Sequence, residues 1–284
     1  GAVGVSGAVF VTTGDTTAGE SGAVEIKTGA GVQGSGGDIS MTVGTGNKGN
    51  GGQFAVVAGA ATAAGAKGGL VNITAGAGMS DDMQNGGNGG DVVVSAGRGH
   101  GYNNTADFGG DVFINGGSAV SAPGGSVSLT SGYSDATHSG GMNIATAHGG
   151  FYGYSGAVSI ATGDSAELET GNIAIRTGVA GGGNGGDITL DVGNGAVGNG
   201  GKFAVNAGYT SDVGGVGGEV TIFAGQAKTG PGGAMELRSG VSDETDSGAL
   251  TIRTPDSGSH GIGGDLSILT GASTAGPGGD LIAK

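Results

Sequence analysis

Two long polar loops carry most of the side chains in this sequence that could bind a ligand. They span residues 76–90 and 97–110, and they interrupt an otherwise short repeat. Because they belong to consecutive repeat units, we expect them to lie on one edge of the fold, where loops on a rigid scaffold usually carry recognition. The alternative is that they are tolerated insertions. The residues that we predict to contact a partner are Asp81, Asp82, Arg98, His100, Tyr102 and Phe108.

Two aspartates that end the same motif are candidate calcium ligands. The motif "GGNGGD" ends at Asp91 and again at Asp187. It is similar to the G-G-x-G-x-D nonapeptide of calcium-binding β-rolls, and carboxylate oxygens are the ligands that calcium prefers. The period here is fifteen residues rather than nine, so these aspartates could instead cap exposed amides at corners of the chain. The sequence therefore predicts no cofactor, with calcium as the alternative.

Two asparagines match the N-glycosylation sequon. Asn72 begins "NIT" and Asn103 begins "NNT". The sequon requires an accessible position in a secreted protein. Asn103 lies in a long loop and Asn72 at a predicted outward position, so we predict that both are accessible and that Asn103 is the better acceptor.

The sequence shows no constellation typical of an enzyme. Its four histidines share no ligand spacing, and no cysteine is present. No Ser-His-Asp order, phosphate-binding loop or paired-carboxylate site stands out, so we predict that the protein is not an enzyme. The competing hypothesis of a polysaccharide lyase or hydrolase requires charged residues clustered along one groove, and none can be assigned.

Charge and composition narrow the classes of partner. The chain of 284 residues has a net charge of −14, which argues against nucleic acid, since that partner needs a basic surface. No run of 18 apolar residues is present, so no membrane span is predicted. Glycine accounts for 74 residues without a strict collagen period. Regularly spaced Val, Ile and Leu argue against a disordered chain.

Eighteen repeat units follow one consensus, x-V-x-I-x-[TAS]-G-x-x-x-x-G-x-G-G, mostly spaced by fifteen residues. Apolar residues alternate with polar ones over about six positions, which is the pattern of a half-buried strand. Six residues cannot bury an apolar face alone, whereas stacked units can. The sequence therefore predicts an all-β fold, a parallel β-solenoid, most simply with one unit per coil. The alternative is two units per coil.

A longer repeat organises the units into blocks. The stretch "GGDISMTVGTGNKGNGGQFAVVAG" at residues 36–59 returns almost unchanged at residues 185–208. We divide the chain into blocks 8–156 and 157–264 and a partial block 265–284, all within one continuous solenoid over 1–284. Because the sequence begins at Gly1 rather than at Met, we expect it to be part of a longer protein.

Some outward positions of the predicted strands are apolar. An apolar side chain on the outer wall of a sheet favours contact with another chain. The alternative is an ordinary exposed hydrophobe. The positions that we predict to be assembly contacts are Val93, Phe113, Phe223 and Leu269.

The phrases "SGAVSIATGDS", "TGNIAIRTG", "GNGGDITLDVGNG" and "APGGSVSLTSG" resemble the Gly/Ser/Thr-rich β-solenoid repeat proteins of stramenopile and other microalgae. The resemblance covers the whole chain. It implies a secreted or cell-surface protein in an extracellular fibre, a flagellar hair or an adhesive, and it carries no catalytic residue across.

Two functions follow as hypotheses. The first is a structural subunit of an extracellular filament or surface appendage, which binds copies of itself or related solenoid chains end to end and laterally. Neither terminus shows a distinct cap, and open ends favour polymerisation. The second is a surface adhesin that binds carbohydrate through loops 76–110. A face for binding ice is disfavoured, because the outward residues are irregular.

Overall fold

The chain divides into two units, Gly1–Ala145 and Thr146–Lys284. The computed structural model describes residues 4, 6–103 and 105–283. The boundary between the units lies inside the ninth repeat. The extreme chain ends, where we expect end-to-end contacts, lie outside the described residues.

The described residues contain no helix and no strand. The prediction of an all-β parallel solenoid is therefore wrong, with either one or two repeats per coil. Parallel strands form only where neighbouring backbones exchange hydrogen bonds along their length. Here every backbone–backbone hydrogen bond of the described residues lies within a single loop, and none joins one apolar segment to another. The alternating pattern gives each segment an apolar face, but no partner backbone covers it.

Linear segments alternate with loops in register with the sequence repeat. One bend or turn lies between each successive pair of the eighteen apolar segments, so there are seventeen loops among the described residues. The chain runs without a bend through each segment, as it does over residues 153–165. The regular order of this protein is therefore local and is repeated from loop to loop.

Paired glycines close the bases of ten loops. In each, the last glycine before the next segment donates its N–H to the carbonyl oxygen of the glycine that ended the previous segment, as Gly125 does to Gly117 at 2.8 Å. A loop whose ends meet in this way resembles an Ω-loop. The carbonyl glycines and their donors are Gly59 and Gly69, Gly76 and Gly90, Gly97 and Gly110, Gly117 and Gly125, Gly132 and Gly140, Gly193 and Gly201, Gly208 and Gly218, Gly225 and Gly233, Gly240 and Gly248, and Gly271 and Gly279.

Close approach at the loop base explains the second glycine of the Gly-Gly pair. A Cβ added to Gly218 would lie 2.9 Å from the backbone nitrogen of Gly208, closer than real Cβ atoms come to other atoms. In six of the other loops a threonine side chain lies beside the closing glycine, as Thr28 lies beside Gly37 and donates its hydroxyl to the carbonyl oxygen of Gly37 at 3.0 Å. The Gly-Gly motif therefore closes loops.

The duplicated blocks share local geometry. Gly49 has a φ of 93°, and its counterpart 149 residues later, Gly198, has a φ of 94°. Only glycine adopts this conformation without strain. Gly65 and Gly214, which are related by the same offset, have positive φ values of 74° and 87°. The long-range repeat therefore keeps the backbone conformation at these two pairs of loops, but not at Gly19 and Gln33, whose positive φ values are not shared by Leu168 and Gly182.

No described side chain is buried, so the described residues have no core. The alternating sequence pattern is visible in the structure only as a difference in the exposed fraction of neighbouring side chains. Val112 is 52% exposed, whereas the adjoining Phe113 is 80% exposed. The accessible surface is 28,326 Å². A folded monomer of 26.3 kDa exposes about 11,000 Å², and an unfolded chain of that mass exposes about 38,000 Å². Each segment therefore leaves its apolar face without cover.

Candidate functional site

The first long loop, residues 76–90, is braced by the carboxylate of Asp82. Its Oδ1 accepts the backbone N–H of Asn85 at 2.7 Å and that of Gln84 at 2.9 Å. Gly90 closes the base by donating to the carbonyl oxygen of Gly76 at 2.9 Å. Asp82 therefore shapes the loop, while Asp81 is exposed beside it.

These hydrogen bonds lower the pKa of Asp82 below its ordinary value of 3.8. The N–H of Asn85 contributes most, the N–H of Gln84 follows, and slight desolvation acts in the opposite direction. Backbone donors stabilise the charged carboxylate, and protonation weakens both bonds.

Acid should loosen the loop at residues 76–90. Because the pKa of Asp82 is lowered in the folded loop, its stabilising contribution is present above pH 3.8 and is lost as the pH falls through the lowered pKa. In dilute, dissociated protein we expect the NMR shift of the Asn85 amide to titrate with a midpoint below 3.8. Asp82→Asn keeps an acceptor oxygen but has no charge, so its Asn85 shift should not titrate in this range. A midpoint at or above 3.8 would contradict the assignment.

The second long loop, residues 97–110, is held by two polar side chains. The Oδ2 of Asp107 accepts the backbone N–H of Asn103 at 2.8 Å. The Oδ1 of Asn103 accepts the backbone N–H of Thr105 at 3.0 Å and its hydroxyl at 2.7 Å. The loop is therefore organised around Asn103 and Asp107.

The structure does not assemble the predicted binding residues into one site. Arg98, His100, Tyr102 and Phe108 are all exposed. Across the described residues no hydrogen bond or ion pair joins the two loops, and no cavity forms. Hydrogen bonds order each loop internally. The only feature that the predicted binding residues have in common is that their side chains are exposed.

The predicted calcium ligands stand at the starts of linear segments. Asp91 and Asp187 are exposed. The described residues contain no group of three or more His, Asp or Glu side chains that could hold a metal ion. Calcium binding at these two aspartates stays a prediction.

Both sequons have the same internal hydrogen bond. Thr74 donates its hydroxyl to the Oδ1 of Asn72 at 3.1 Å, as Thr105 does to the Oδ1 of Asn103 at 2.7 Å. Both asparagines are exposed. Asn72 lies in a linear segment, whereas Asn103 lies in a loop. Because the chain bends at this loop, a glycosylating enzyme can approach Asn103 more easily than Asn72.

The predicted assembly contacts are among the most exposed apolar side chains of their segments. Val93 and Phe113 belong to unit Gly1–Ala145, and Phe223 and Leu269 belong to unit Thr146–Lys284. Their exposed fractions range from 80% to 88%. All four are therefore accessible to a partner chain.

The sequence analysis missed an aromatic loop at residues 149–154. Phe151, Tyr152 and Tyr154 are each at least 94% exposed. The chain has twelve Phe and Tyr residues in all, and three of them lie within positions 151–154. That concentration was visible in the sequence. The loop has nearly the ordinary length, however, and the candidate loops were identified by their length.

Over residues 4, 6–103 and 105–283 there is no helix with the length and apolar character needed to cross a bilayer. Comparison with protein-family models, curated proteins and solved structures finds no match to this chain.

Proposed function

We propose that this protein is a structural subunit of an extracellular filament or surface appendage and that it works by binding copies of itself. The observation that supports the proposal is the absence of any buried side chain among the described residues, together with an apolar face on segment after segment. Large exposed apolar surfaces mark sites of protein association. A repeated segment offers a second copy the same face many times over.

Burial of these faces provides the driving force for assembly. Removing apolar surface from water contributes about 25 cal/mol per Å². The surface of this chain exceeds that of a folded monomer of its mass by more than twofold, so the area available for burial is large. Association therefore supplies the burial that the single chain lacks.

The proposal is tested by sedimentation velocity of the full chain over a range of concentrations, with electron microscopy of the same samples. We expect the mean mass to rise steeply with concentration and elongated assemblies to appear. A chain that stays monomeric at every concentration would contradict the proposed function.

A second candidate function is carbohydrate adhesion through loops 76–90 and 97–110. The observation that favours it is that Asp82 and Asp107 brace these loops, so their exposed side chains project from ordered turns. The test is a glycan array with the full chain and with the double variant Tyr102→Ala, Phe108→Ala. Binding that the variant loses would support adhesion, and an array without signal would eliminate it.

Asn103 should be an acceptor for an N-glycan. Asn103 and Thr105 are exposed in a loop, so expression through a eukaryotic secretory pathway should attach one N-glycan to Asn103. We expect a mass shift that a peptide N-glycosidase removes. Thr105→Val should abolish it and Thr105→Ser should keep it, since serine retains the hydroxyl. Unmodified Asn103 in secreted protein would contradict the prediction.

A further inference from the structure

A tight turn presents aromatic rings at the tip of loop 149–154. Gly153 donates its N–H to the carbonyl oxygen of Gly150 at 3.0 Å, which places Phe151 and Tyr152 at the two central positions of the turn. Their ring centroids lie 4.8 Å apart, and the ring planes meet at 82°. This edge-to-face arrangement is a favourable one for aromatic pairs. The two rings therefore meet edge to face while they stay almost completely open to solvent.

The loop lies in the longest stretch of the chain without a charged residue. Between Asp135 and Asp164 there is no Asp, Glu, Lys or Arg, whereas the whole chain carries 24 acidic and 10 basic residues. Depletion of charge with enrichment of Tyr and Phe is the composition of an interface centre. This stretch combines both features.

We propose that loop 149–154 is the principal contact through which a second copy of this chain binds, an inference that rests on the proposed self-assembling function. Each copy has a net charge of −14, so two copies repel each other. The repulsion between copies is weakest where the chain carries no charges. Burial of the uncharged stretch between Asp135 and Asp164 removes no charged side chain from water. Tyrosine is among the residues that dominate binding energy at interfaces.

A second copy fits this loop better than a polysaccharide does. Ligand sites pair apolar and aromatic surfaces with a few convergent polar groups that fix orientation. The side chains at the tip are Phe151, Tyr152 and Tyr154, whose only polar groups are two hydroxyls, and across the described residues no cavity surrounds them. An open aromatic tip suits a like tip or an apolar segment of another chain.

The first test compares two triple variants by sedimentation. One is Phe151→Ala, Tyr152→Ala, Tyr154→Ala. The matched control is Phe10→Ala, Tyr133→Ala, Tyr209→Ala, which also removes one Phe and two Tyr that are more than 80% exposed. We expect the loop variant to raise the concentration needed for association about tenfold or more and the control to stay close to wild type. Equal behaviour of the two variants would overturn the proposal while wild-type association still supports the proposed function.

Two further outcomes separate the possibilities. Wild-type protein that stays monomeric would overturn the function and the contact together. Wild-type protein that associates only when a neutral polysaccharide such as dextran is added would overturn the second-copy contact in favour of a glycan.

A cross-linking experiment tests the contact without altering the rings. The chain has no cysteine, so Ser155→Cys places a single thiol next to Tyr154, and Ser211→Cys places one two residues after Tyr209 as the control. Under mild oxidation by air with a copper catalyst, we expect disulfide-linked dimers from Ser155→Cys several-fold faster than from Ser211→Cys. Equal rates would contradict the proposed contact.

Discussion

Lowering the pH from 7 toward 4.3 will strengthen self-association of this protein by more than an order of magnitude. The net charge is −14 at pH 7 and reaches zero near pH 4.3. A charge far from zero keeps chains apart, and a charge near zero promotes their association. Since the described residues have no core to change, the main effect of acid is to remove repulsion between copies.

Salt should reproduce part of this effect at constant pH. At an ionic strength of about 0.1 M the screening length falls to about 10 Å. Repulsion between exposed carboxylates is then weakened, while burial of apolar faces continues to drive association. We expect the concentration at which half the chains associate to fall as salt is added at pH 7.

A pair of variants separates charge from other effects of acid. The triple variant Asp243→Asn, Glu244→Gln, Asp246→Asn changes the net charge from −14 to −11, because three negative charges are removed. It should associate at lower concentration than wild type at pH 7. The control Asp243→Glu, Glu244→Asp, Asp246→Glu keeps the charge and should match wild type. Association that responds to neither pH, salt nor the first variant would show that charge does not control assembly.

The division into segments and loops could be predicted from the sequence, but the pairing of segments could not. The alternation in "NIAIRTG" marks Ile173 and Ile175 as one face of a linear segment, and the bends do lie between such segments. Alternation does not say what covers that face, because a strand depends on a partner backbone as well as on its own residues. The solenoid prediction added a partner that the described structure lacks.

The candidate sites show the same limit: contacts between residues close in sequence could be predicted, whereas contacts between loops could not. Asp82 and Asn103 were singled out as loop residues, and their hydrogen bonds arise within a few positions along the chain, where residue type decides the turn. Whether Asp81 and Arg98 converge depends on how the two long loops pack against each other, which local sequence does not determine. The aromatic loop at residues 149–154 was not predicted, because loops were judged by their length and not by their content of aromatic residues.

Trypsin will cut the dissociated chain rapidly at most of its lysines and arginines, and association will protect one class of these sites. The described residues have no buried side chains, and segments without buried contacts open at almost no cost in free energy. Cleavage of the dissociated chain should therefore approach the rate for an unfolded chain. Slow cleavage of dilute protein would contradict this account of the single chain.

Association should divide the cleavage sites by position in the repeat. Four basic residues occupy the same fifth position of a linear segment, and four others lie in loops. The segment sites are Lys27, Arg176, Arg238 and Arg253, and the loop sites are Lys48, Lys67, Arg98 and Lys228. If copies bind through the apolar faces of the segments, the backbone beside the segment sites becomes inaccessible, and we expect cleavage there to slow at least tenfold while the loops are still cut.

Mass spectrometry of timed digests measures each site separately. Dilute protein serves as the dissociated control, in which both classes should be cut alike. Lys27 and Arg238 each pair with a glutamate two residues earlier, at 3.0 and 2.6 Å, yet their side chains remain 73% and 78% exposed. These ion pairs exist in the single chain, so they cannot account for protection that appears only on association. Protection confined to the loops would place the contact between copies away from the apolar segments.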